Sequence, residues 1–218
     1  MLDLIRLSVA ILPLAAYFQV LGLIRLRSRP TLLNGATDFF LLAMAMMGFI
    51  AIGPIELFFP RAAYAILGPW VWGVLIALYF FVSMLIALNS KLKLIAYGLD
   101  PESLKQTIQD GLSLGQLEAH WGNDILEIPS LGLRASIEKA GVGKTASLEA
   151  IGRSQNPMGW YTIEKLIAKS LKPNTTTQTA EAFRWIALSL VLFGTSATMI
   201  AQDLPRLKKE LAILFEPD

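Results

Sequence analysis

"AAYAILGPWVWGVLIALYFFVSMLIALNS", residues 62–90, contains no charged side chain. A helix crosses the hydrocarbon core of a bilayer with roughly 20 predominantly apolar residues, so this stretch alone is long enough to span. Three others resemble it: Leu7 to Ile24 and Trp185 to Gln202 carry no charge, and Phe39 to Phe59 carries only Glu56. A soluble core can hide one such helix; four of them predict an integral membrane protein. The composition agrees, with 54% hydrophobic and 17% charged residues in a chain of 218, whereas soluble domains run nearer a quarter charged.

The first stretch opens "MLDLIRLS" and ends "LIRLRSRP". Asp3 offsets Arg6 and no small-residue cleavage site follows, so it reads as a retained span rather than a secretory signal. The absence of cysteine excludes disulfides, thiolate metal sites and a cysteine nucleophile. A net charge of +2 without a Lys/Arg block gives no footprint for nucleic acid.

The expected architecture is a four-helix membrane protein with a small α+β soluble domain inserted between the third and fourth spans. The spans fall at about 4–24, 37–59, 64–88 and 183–203, the domain at 91–172, a polar tether at 173–182 and an amphipathic tail at 204–218. Pro54 and Pro60 frame the exit of the second span. Pro69, Trp70 and Trp72 open the third, where indole rings favour the headgroup level, and Tyr97 and Trp185 suit the opposite surface. With four spans, the loop holding Arg25, Arg27 and Arg29 lies on the same side as 91–182, which adds Lys91, Lys93 and Lys172, with Arg184 just beyond. This set outweighs Arg6 and Arg61 on the other side and predicts a cytoplasmic domain in the cell membrane, against the pull of Arg206, Lys208 and Lys209 in the tail. Gly194 and Thr198 form a small-xxx-small pair through which a second helix, including that of another copy, can approach.

Inside the domain, Asp100-Pro101-Glu102 is a helix start: a capping carboxylate, proline at the first helical position and an acid at the positive helix end. Leu104, Ile108 and Leu112 then recur on one face, and Asn156-Pro157 opens a second helix with the stripe Ile163, Leu166, Ile167 and Leu171. Between them, 131–138 and 145–151 alternate with period two and 124–128 is a further strand candidate.

Four features carry chemical readings. Gly143-Lys144-Thr145 spells the end of a phosphate-binding loop, a weak cofactor-binding candidate. However, Glu138 stands where the first glycine belongs, and Gly152 arrives too early for the helix that should follow. A hairpin with its loop at Lys139 to Lys144 explains the same letters. Glu56 is the one acid within a span; it is either an intramembrane proton or cation site or an interfacial charge reaching Arg61, and its nearness to Pro60 favours the latter. His120 with Asp124 can be drawn as a base and its orienter, but no nucleophile motif accompanies them. The tail sets Leu204, Leu207, Leu211, Leu214 and Phe215 on one helical face, suited to a membrane surface or a partner helix.

The functional expectation is a non-enzymatic scaffold or interaction protein whose 91–172 domain docks a protein partner, with no cofactor, metal or catalytic residue assigned. A transporter or channel component using Glu56 is the alternative, and a nucleotide-binding protein using Lys144 ranks last.

Overall fold

The computed structural model describes residues 4–215 apart from 28, 56–58, 123, 142, 153–154 and 172–178; the side chains of 5, 9, 61, 179 and 205–215 are likewise outside the description. In chain order the first half contains α1 (Leu4–Leu26), β1 (Thr31–Asn34), α2 (Gly35–Ile50), a π-helical turn (Ala51–Ile55), α3 (Arg61–Leu67), α4 (Trp70–Asn89) and β2 (Lys93–Tyr97). There follow α5 (Pro101–Leu114), β3 (His120–Gly122), β4 (Ile125–Ile128), β5 (Leu133–Lys139), β6 (Thr145–Ala150), α6 (Pro157–Ser170) and α7 (Thr179–Phe215). Four helical stretches are long and apolar enough to cross a membrane: Arg6–Leu26, Gly35–Ile55, Trp70–Asn89 and Ala180–Leu204.

Local chemistry explains where these helices break. Pro54 has no N–H for the carbonyl four residues back and its ring needs extra room, and there α2 widens into the π turn. Gly68 adopts a left-handed φ of +56° after α3 and its N–H donates to the Tyr64 carbonyl at 2.8 Å. Pro69 follows, so the third apolar stretch is two helices, with α4 beginning at Trp70.

Two compact units result: Met1–Leu21, Leu41–Ser83 and Arg184–Asp218 form one, Gly22–Phe40 and Met84–Phe183 the other. In the helical unit most buried positions are small, Val71 and Leu21 being the larger exceptions among the described residues. Ala10, Ala15, Ala43, Ala45, Ser189 and Ser196 are enclosed, while Leu78, Phe81 and Val191 are 54%, 58% and 61% exposed. Gly48 lies so near Ala10 that a Cβ would fall 2.6 Å from its carbonyl oxygen. The Tyr79 hydroxyl donates to the Ala43 carbonyl at 2.7 Å and the Ser189 hydroxyl to the Ala15 carbonyl at 2.9 Å. Close backbones at small residues, side-chain-to-carbonyl bonds and large apolar groups turned outward are how helices pack where lipid is the solvent.

The other unit is a six-stranded antiparallel sheet, order β1-β2-β6-β5-β4-β3, with α5 and α6 on one face. Leu104, Ile108, Ile163 and Ile167 from the helices meet Leu94, Leu126, Leu133, Ile137 and Leu148 from the strands. Asp100 accepts from the Ser103 N–H at 2.8 Å and Asn156 from the Met158 N–H at 3.0 Å, so each helix starts at the cap its sequence announces.

The unit is wider than 91–172. Its edge strand β1 comes from the loop after α1, and pairs Leu32 with Ala96 and Leu33 with Ile95. At the other end, helix begins inside the expected tether, at Thr179, because Glu181 in the first turn suits the positive helix end and finds a buried cation there. The fourth span and the tail are then one continuous helix rather than two segments.

Candidate functional site

Gly143, Lys144 and Thr145 lie at the β5–β6 hairpin. Lys139 pairs with Ala146, and the Ala140 N–H donates to the Thr145 carbonyl at 2.8 Å. Gly141 and Gly143 take φ of +65° and +82°, which residues with a Cβ rarely adopt. After Thr145 the chain continues as strand β6 between β2 and β5, not as a helix with its N-terminus turned to an anion.

What meets the hairpin is a carboxylate of the chain itself. Glu181, in the first turn of α7, sits against Gly143 so closely that no Cβ would fit. Its Oε2 accepts from Nη1 of Arg25, in the last turn of α1, at 3.0 Å, and Arg25 Nη2 donates to Thr145 Oγ1 at 3.5 Å. The Arg25 side chain is 4% exposed and that of Glu181 28%. Each charge stands at the helix end whose dipole it complements. Removing either partner strands the other in little water, which costs about 3 kcal/mol, the low end for a buried pair because Glu181 keeps some solvent.

Lys144 serves the same corner differently. Its carbonyl accepts from the Gly98 N–H at 2.9 Å. The Asp100 carboxyl is held below its ordinary value of 3.8, first by the Ser103 N–H, then by the Ser103 hydroxyl and, more weakly, by the Lys144 charge, against a smaller opposing effect of burial. A depressed carboxyl stabilises the fold above its unfolded pKa, and that contribution fades as the pH falls through the folded value.

Beside this clamp, Asp38 near the start of α2 accepts from the Tyr97 hydroxyl at 2.6 Å, and Tyr97 is buried against that helix end. Glu149 receives Lys93 at 3.3 Å and Lys91 at 3.6 Å, and Glu127 receives Arg134 at 2.8 Å. His120 is exposed on edge strand β3 in register with Glu127, with Asp124 at the turn into β4. Glu56 lies outside the described residues. Among the described residues, no three His, Asp or Glu side chains gather as a metal site would need.

The structure thus gathers the three residues of the phosphate-loop motif with two that sequence reasoning passed over. In the sequence Arg25 counts only toward orientation, and Glu181 falls within the expected tether. The available signal was an arginine in the last apolar turn of a span, where an unpaired charge is costly. Chemically the group is a self-neutralised clamp that fixes the ends of α1 and α7 to the hairpin. Comparison with protein-family models, curated proteins and solved structures finds no match for this chain.

Proposed function

We propose that the chain is a multi-pass protein of the cell membrane whose sheet unit is a cytoplasmic, non-enzymatic docking module for a protein partner. One observation carries the membrane part. The end of α1, the start of α2, the end of α4 and the start of α7 all belong to the sheet unit. A hydrogen-bonded sheet cannot straddle a bilayer, so these four ends share one side, which is what four successive crossings require. The side rich in Arg25, Arg27, Arg29, Lys91 and Lys93 is then the cytoplasmic one.

The docking part is supported by α6. Its inner stripe is spent on the core, while Met158 and Tyr161 remain 69% and 53% exposed, with the Lys165 ammonium 4.2 Å from the Tyr161 ring centroid. An adaptable thioether beside an aromatic ring with a polar tip is the kind of surface partners use. A photoreactive amino acid at Met158, in the full-length chain in its own membrane, should give one discrete protein adduct that Tyr161→Ala diminishes at least severalfold. The same probe at Arg134, on the opposite face of the sheet, should give none. Adducts absent from Met158, or equal at both positions, would remove the docking role.

A further inference from the structure

The loop after α1 and the end of α6 enclose an open cleft of about 460 Å³, lined by Arg27, Arg29, Thr31, Leu32, Ala168 and Leu171 among others. We propose that it binds the phosphate-bearing headgroup of an anionic phospholipid, an inference that rests on the chain spanning the membrane.

Among the described arginines of the sheet unit, Arg27 and Arg29 differ from Arg25 and Arg134, which pair with Glu181 and Glu127. Lys91 and Lys93 are committed to Glu149. Among the described residues, the exposed side chains of Arg27 and Arg29 have neither a hydrogen-bond nor an ion-pair partner. One structural reason for basic residues here would be the carbonyl ends of α1 and α6, which both arrive at the cleft and favour cations. Yet neither guanidinium is spent on those carbonyls, and both side chains line the cleft while remaining exposed.

Position and chemistry fit a lipid. Arg27 directly follows Leu26, the last residue of an apolar helix of spanning length, which puts it at headgroup depth. Guanidinium groups bind phosphate oxygens through paired N–H donors. Leu32 and Leu171 supply an apolar wall for the glycerol and the first methylenes, which a site for a free anion does not need. Basic pockets beside spans on the cytoplasmic face recognise anionic headgroups on these terms.

The test uses the full-length chain purified in neutral detergent, with phosphatidylglycerol and phosphatidylcholine titrated in turn and bound lipid read by native mass spectrometry. The wild type should retain phosphatidylglycerol about tenfold better than phosphatidylcholine. Arg27→Gln/Arg29→Gln should abolish the preference without moving the unfolding temperature in neutral detergent, since both side chains are exposed and make no contact the fold depends on. Equal retention of the two lipids by the wild type, or an undiminished preference in the double variant, overturns the site. Inorganic phosphate added at millimolar concentration distinguishes the source: full displacement of the lipid would mark a site for a soluble anion and also overturns the proposal. Alkaline carbonate washing of the expressing membranes separates the two levels. A chain released by the wash sinks the membrane reading and this site with it, whereas a retained chain without lipid preference sinks this site alone.

Discussion

Gly143 answers to two demands at once: a φ of +82° and a Glu181 carboxylate that leaves no room for a Cβ. Gly152 shares only the first, with φ of +89° and nothing within 4 Å of a Cβ. Gly152→Ala should therefore cost about 1 kcal/mol, the backbone penalty alone. Gly143→Ala should cost at least about twice that, because the methyl group pushes Glu181 off Arg25. In a Glu181→Ala background the Gly143→Ala penalty should shrink toward the Gly152 value, the non-additivity expected of residues in contact. Reversible unfolding of the four variants in detergent checks this; an unchanged Gly143→Ala penalty in the two backgrounds would mean that the carboxylate does not press on the hairpin. At this scale the sequence was half legible. Glycines around Lys144 announced a turn through their freedom at positive φ, but nothing local to 138–151 reveals that the tight spot is set by Glu181, thirty-odd residues on.

Elements were readable where their signals were local. Asp100-Pro101-Glu102 and Asn156-Pro157 start helices because the caps act within three residues, and β5 stood out because one of its faces is open and the pattern alternates. Strands β1, β2 and β3 were not identified, for different reasons. In β2 four of five residues are buried, so both faces are covered and the alternation disappears into an apolar run that follows a span. β1 and β3 have four and three residues, too few to show a period. A chain without cysteine offers a clean test of the β1–β2 pairing. Leu32 and Ala96 are directly opposed, and both turn toward the α5–α6 side. Opposed Cα atoms in an antiparallel pair lie about 4.5–5.5 Å apart, within disulfide range. Leu32→Cys/Ala96→Cys should thus cross-link under mild oxidation. Leu32→Cys/Ile95→Cys, one residue out of register, points its thiols to opposite faces and should not. Equal cross-linking of both pairs would indicate a strand that slips, and none from either would remove β1 from the sheet.

For the molecule as a whole, hydropathy alone gave the spans, since a run of apolar residues needs no knowledge of its neighbours. What hydropathy could not give is that the loop after the first span and the segment after the third build one sheet, because pairing across some sixty residues leaves no mark in either piece. That sheet makes an orientation test sharper than charge counting, which the basic tail muddies. If residues 22–40 and 84–183 share one side, the segment around Ile66 between the second and third spans must lie on the other. Lys139 ends β5 at an exposed position, and Ile66 in α3 is 85% exposed, so cysteine at either should react without disturbing a core. With a membrane-impermeant maleimide, Ile66→Cys should label in intact cells and Lys139→Cys only after permeabilisation. The opposite result would turn the protein over while keeping the crossings, and would place the Arg27–Arg29 cleft against the outer leaflet. Labelling of both in intact cells, or of neither, would mean that α2 and α4 do not both cross, since an odd number of crossings must separate Ile66 from Lys139.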